Sequence, residues 1–314
     1  MKLSAEVVIR RLTRQVLLAL GIMHCVLSPA IAIPVYEPGR DTLATSTQKE
    51  AMAFINKIST LDRSPHWPNI KPSLFLQNLK GNIQQPIVIY PGNGTNFCGY
   101  GALTYLFLRD DPLGYAKLLL ELYRDGTAKF GSTSFAPSAT IKLEAGLLKY
   151  KGILDIHPAE QMWFLTVADH FKGYVNLFNR NYDPGDENTF WASTNYAKFN
   201  RMVRNLLRYK TKAKGADLMR PRIDDLYEYI NERMQTGMVV LYINNRIVHK
   251  KDHTIKLAVP THFIVVEKIS RENDVITLVY WDYGGRTQLQ MSTAFFKRII
   301  FGITHCTKKE LDAK

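Results

Sequence analysis

Three residues of this 314-residue chain have the types and order that acyl transfer needs: Cys98, His262 and Asp282. Cys98 follows the loop-forming run Pro91-Gly92-Asn93-Gly94 and opens an apolar stretch, 98–108. That stretch is too uniformly apolar for a surface helix and predicts a buried one. A thiol on its first turn meets unpaired N–H groups and the positive end of the helix dipole, which favour a thiolate. Gly99 and Gly101 leave room for a substrate to approach the backbone. His262 stands near the start of a buried strand, 260–267, and Asp282 ends a second one that begins at 275. The turn over 271–274 predicts a hairpin, which brings the two side chains side by side. Each of the three also has a structural alternative: a buried thiol, a core imidazole, and a turn at Asp282-Tyr283-Gly284-Gly285.

Cys on a helix start, His on a strand and Asp on the next strand is the order in which the papain-like cysteine peptidase superfamily carries its catalytic residues. The chain resembles that superfamily over roughly 85–108 and 237–302, and looks closest to bacterial bacteriocin-processing peptidase domains and cysteine-peptidase effectors. The resemblance implies a Cys98 nucleophile, a His262 acid–base and an orienting Asp282. It implies a papain-like α+β fold, with a buried nucleophile helix against an antiparallel sheet. Such enzymes often place a Gln about six residues before the nucleophile. Here that position is Gly92, so Asn93 or Asn96 is the expected side-chain oxyanion donor beside the Cys98 N–H. Gly99 and Trp281 are expected to border the substrate, with Tyr283 as a further wall.

The function expected on these grounds is an exported cysteine peptidase or amidase. Its substrate would be a protein, peptide or cell-wall amide, and an inhibitor or immunity protein is a partner such an enzyme implies. Two alternatives share the residues: a catalytically inactive papain-like binding protein, and an acyltransferase or transglutaminase-like enzyme.

Lys2, Arg10, Arg11 and Arg14 precede an uncharged, mostly apolar run, 15–32, ending Ala30-Ile31-Ala32. This predicts a signal peptide over 1–32, a mature chain from near Ile33, and a periplasmic or extracellular location. No stable membrane insertion is expected after cleavage; an uncleaved anchor is the alternative, because the run approaches spanning length. Cleavage leaves Cys98 and Cys306, which in an oxidising compartment can instead form one disulfide.

The formal net charge is +13, and the signal region holds four basic residues against one acidic, leaving the mature chain near +10. Anionic partners are one reading of such a balance. The densest basic run, 201–222, reads as a solvated helix end and loop, and no nucleic-acid-binding motif is present, so nucleic acid is not expected. A basic protein binding an anionic polymer through 201–222 is the third functional reading. His249 and His253 flank Lys250 and Lys251, which suits a solvated hairpin tip better than a metal site. No metal or cofactor is expected.

Around the motif, 33–84 reads as an N-terminal arm and a helix (47–61), and 85–314 as the catalytic domain. Residues 87–90 read as a short strand. Helical periodicity over 113–123, 140–150, 159–171, 190–209 and 224–234 predicts a helical insertion at about 112–235. Strands follow at 238–243, in the two hairpin arms and at 287–290. A helix capped by Ser292 and ended by Gly302 closes the pattern. The sum is α+β, with four to six antiparallel strands.

Overall fold

The computed structural model describes residues 44–148, 156–245 and 259–308. The predicted signal peptide and the His249/His253 turn lie outside the described residues.

Capping chemistry sets the helix starts. The Thr47 hydroxyl accepts from Glu50 N (3.2 Å) and the Glu50 carboxylate accepts from Thr47 N (2.7 Å), a reciprocal cap that opens α1 (Gln48–Asn56). Then come α2 (Pro72–Gln84) and α3 (Cys98–Asp110). In α4 (Pro112–Asp125), Asp111 accepts from Gly114 N (2.9 Å), Pro112 takes the first turn, and Gly126 ends the helix at φ 66°. A small hairpin, β1 (Ala128–Phe130) and β2 (Thr133–Phe135), leads to α5 (Ala139–Glu144) and α6 (Pro158–His170). A long connection reaches α7 (Tyr196–Leu206), then β3 (Tyr209–Gly215) and α8 (Leu226–Met234). The rest is β4 (Met238–Ile243), β5 (His262–Glu272), β6 (Val275–Asp282), β7 (Gly285–Ser292), α9 (Thr293–Ile299) and β8 (Ile300–Lys308).

Six strands form one antiparallel sheet in the order β3-β8-β4-β5-β6-β7. Side chains alternate across it, so its central strands feed two separate cores. Val240, Val265 and Trp281 face a large core shared with α2, α3, α4, α6 and α7. Val239, Leu241, Ile264, Ile276 and Leu278 face a smaller core closed by α8 and α9. The fold is therefore α+β with its antiparallel sheet between helical layers.

Several expected elements differ. Residues 86–88 form a 3-10 turn rather than a strand, since Pro86 lacks the N–H a ladder needs. Helix α2 lies in a stretch given no element by sequence, although Phe75, Leu79 and Ile83 make a buried stripe. The 112–235 region is not a purely helical insertion: it also holds the β1–β2 hairpin, β3 pairs with β8 in the main sheet, and α6 and α7 share one core with α3. Basic residues read as loop sit on β3, where Lys210, Lys212 and Lys214 alternate with Thr211 and Ala213. The final helix ends at Ile299, and Gly302 lies inside β8. A Cβ there would fall 2.5 Å from the Tyr196 ring, so this glycine admits a neighbour instead of stopping a helix.

Candidate active site

The loop before α3 is shaped by Gly92 and Thr95. Gly92 adopts φ +85°, and a Cβ there would fall 2.7 Å from Ile156 Cδ1. The position where a papain-like chain often carries Gln is thus closed to a side chain. The Thr95 hydroxyl donates to Pro91 O (2.6 Å) and accepts from Phe97 N (3.1 Å), which turns the chain into α3. Phe97 supplies no side-chain cap to α3, whose first turn begins at Cys98.

Cys98 is 9% exposed, and its Sγ lies 3.9 Å from Thr261 O, the residue before β5. That contact sets the thiol beside His262, the first residue of the strand. The His262 Nε2 is 2.5 Å from Asp282 Oδ1, and both side chains are buried. Nδ1 is the ring nitrogen left over: it is buried and makes no hydrogen bond of ordinary geometry. The Cys98 thiol lies close enough to act on the ring. Tyr283, with its backbone at φ 41°, stacks its ring on the imidazole at 4.5 Å and 10°.

The electrostatics favour a charged imidazole. Burial is the largest single influence on His262 and pushes its pKa down. The hydrogen bond with Asp282, and the negative charge that Asp282 and Cys98 can each carry, push it up and prevail, at about 9. Cys306 is a contrast. It lies in β8, 2% exposed, and burial pushes its thiol up to about 12. Both cysteines are free, so the disulfide alternative is not formed here.

The remaining predicted residues divide. Asn93 is exposed at the loop tip, and its N–H donates to the Tyr90 hydroxyl (3.2 Å). Asn96 is not available as an oxyanion donor: its amide donates to Thr189 O (2.8 Å) and Ser193 Oγ (3.1 Å), and its N–H to Glu187 O (2.7 Å). Gly99 serves packing, not substrate approach, because a Cβ there would lie 2.9 Å from Thr194 Cβ. Trp281 is fully buried, donates to Ile87 O (3.1 Å) and stacks on Tyr105 at 5.3 Å, so it is core and not a cleft wall.

One residue that sequence reasoning missed is Lys198. It is 1% exposed, and its ammonium donates to the Tyr100 hydroxyl (2.7 Å), Ser193 O (2.9 Å) and Asn176 Oδ1 (3.2 Å). Burial holds its pKa well below the usual lysine value. The contacts clamp α7 and the preceding connection to the second residue after Cys98. The signal available was a lysine beside Phe199, next to the apolar stripe of Phe199, Met202, Val203 and Leu206.

These residues bring a thiol, an imidazole and a carboxylate together at the start of a helix. Among the described residues, no group of three His, Cys, Asp or Glu side chains is placed to hold a metal ion, and no helix is long and apolar enough to cross a membrane. Scans of the sequence against protein-family models and against curated proteins returned no match.

Proposed function

We propose that this chain is an exported, papain-like cysteine peptidase or amidase acting by Cys-His-Asp acyl transfer on a protein, peptide or cell-wall amide. The observation that carries the reading is the 2.5 Å His262–Asp282 pair, which fixes Nε2 and leaves Nδ1 for the thiol at the start of α3. In the proposed reaction the Cys98 thiolate adds to the substrate carbonyl and the oxyanion takes the Cys98 N–H, with Asn93 as the remaining side-chain donor. The imidazolium gives its proton to the leaving amine as the C–N bond breaks. Water, deprotonated by the neutral imidazole, then cleaves the thioester and restores the thiol. Export rests on the basic and apolar pattern of 1–32. Gly92 in the usual Gln position is the feature that favours the inactive binding-protein alternative.

Iodoacetamide labelling at about pH 6 tests the reading, because only a thiol held as an ion pair reacts quickly there. Cys98 should label at least tenfold faster than Cys306, and Cys98→Ala should leave no fast-labelling thiol. Equally slow labelling of both thiols would overturn it.

A further inference from the structure

The oxyanion is the part of the proposed reaction with the poorest supply of side-chain donors. Gly92 closes the position where a papain-like chain often carries Gln, and the Asn96 amide is spent on Thr189 and Ser193. Asn93 is exposed at a loop tip, where water competes for its amide. The turn between β6 and β7 brings another donor toward the thiol. It has two residues, Tyr283 and Gly284, between the paired Asp282 and Gly285. Both have positive φ, 41° and 80°. A two-residue hairpin turn with positive φ at both positions favours Asn, Asp or Gly, and a bulky side chain is strained there. Tyrosine is a poor choice for the turn itself, so its reason lies in where the ring goes.

The ring lies parallel on the His262 imidazole, centroids 4.5 Å apart, while the preceding residue, Asp282, holds the Nε2 edge of that imidazole. A tyrosine carries its hydroxyl at the end farthest from the backbone. From its place beside Asp282, the ring therefore delivers the oxygen across the imidazole toward the thiol. Negative charge at Cys98 accordingly acts on this hydroxyl more strongly than charge at Asp282, although Asp282 is its neighbour in sequence. Gly284 seats the turn against the segment that leads to α3: a Cβ there would fall 3.2 Å from Val88 O and 3.3 Å from Tyr90 Cβ. Among the described residues the Tyr283 hydroxyl makes no hydrogen bond, so its proton is free for a ligand oxygen. Burial first, and then the charges around it, push its pKa up, so the phenol stays protonated and remains a donor.

We propose that Tyr283 is a catalytic residue whose hydroxyl, beside the Cys98 N–H, donates to the oxyanion formed when the Cys98 thiolate adds to a substrate carbonyl. As the S–C bond forms, the C=O electron pair moves onto oxygen and accepts the phenol hydrogen bond, with no proton transferred. The bond is given up when the carbonyl re-forms and the leaving group departs. The role rests on the peptidase reading, and its test separates the two. Two small reagents are compared on Cys98. Iodoacetamide alkylates a thiolate by displacing iodide and forms no oxyanion, whereas p-nitrophenyl acetate acylates it through one and releases coloured nitrophenolate. Tyr283→Phe keeps the ring and its stack and removes only the hydroxyl, so the fold should survive. At about pH 6 it should slow acylation by roughly tenfold or more and leave alkylation unchanged. Asn93→Ala should slow acylation by less. Equal slowing of both reactions by Tyr283→Phe would make Tyr283 a positioning residue of the thiol and imidazole, and would overturn the proposal. So would acylation indifferent to Tyr283→Phe, whatever Asn93→Ala does. In either case wild-type Cys98 still alkylates fast and the peptidase reading stands. Wild-type Cys98 alkylated as slowly as Cys306 would sink that reading, and the oxyanion role with it.

Discussion

The two faces of the central sheet are built by different rules. The face under α8 and α9 is almost wholly aliphatic: Ile230, Leu241, Ile264, Ile276, Leu278 and Ile303 are buried there with few polar groups among them. On the face under α3, polar side chains are buried in numbers, including Thr104, Gln161, Asn176, Lys198 and Asn200, most of them hydrogen-bonded. Apolar contacts are non-directional and tolerate small shifts, whereas buried hydrogen bonds fix position and carry a penalty when broken. The dry face therefore supplies stability and the wet face supplies geometry. Cys98 belongs to the wet face, with Lys198, Asn96 and Thr194 holding the elements around it in register.

Breaking the wet face at Cys98 should give the largest effect. Cys98→Ala is expected to abolish turnover on any substrate that proves active, with little change in the melting temperature, because a small and nearly buried side chain is trimmed. Residual turnover at the wild-type rate would move the chemistry elsewhere.

Asp282→Asn comes next. It keeps size and one hydrogen-bonding oxygen, but removes the charge that holds the imidazolium and selects the ring nitrogen facing the thiol. Turnover should fall at least tenfold while circular dichroism melts move by only a few degrees. A matching collapse of stability and activity would make Asp282 a structural partner of the turn.

A graded effect should appear with pH. In the fold His262 titrates at about 9, above its ordinary value of 6.5. Its protonated form is thus the one the folded state favours. The stability it contributes is fully present below about pH 6.5 and is lost as pH rises through about 9. Turnover should decline over the same alkaline limb, as the proton needed by the leaving amine is lost. Imidazole NMR titration and a pH–rate profile would check both; a limb near 6.5 would mean the Asp282 and Cys98 interactions are weaker than the geometry implies.

The smallest effect on activity should come from the dry face. Ile276→Ala removes buried methylenes from a site with few polar neighbours and should cost about 2–5 kcal/mol of stability in denaturant unfolding. The rate of Cys98 labelling, measured well below the melting transition, should not change. A large change would show that the two faces are coupled through the sheet.

The meeting of Cys98, His262 and Asp282 was legible in the sequence because it rests on local signals: a glycine-rich loop turning into an apolar helix, and a hairpin whose turn stands out. Residues whose roles depend on partners far along the chain were not. Gly99 and Asn96 look like site chemistry until Thr194 and the 187–193 segment are seen against them. Trp281 reads as a neighbour of Asp282 until its stack on Tyr105 and its hydrogen bond to Ile87 O, both far along the chain, are seen. Strand β3 was missed because Tyr209-Lys210-Thr211-Lys212-Ala213-Lys214 lacks the apolar alternation that marks a strand, its partner β8 supplying the order instead.

That lysine-bearing strand is also the feature that bears on edge-to-edge contact between copies of the chain. As an outer strand of the sheet, β3 presents unpaired backbone groups along a template that a second sheet could extend. Lys210, Lys212 and Lys214 recur at every second position there and are exposed. Two such rims brought together would stack like charges along their whole length. The repulsion is strong in dilute buffer and fades as salt shortens the screening length towards about 3 Å at 1 M. Edge-to-edge pairing through this one short strand is thereby opposed most strongly at low ionic strength.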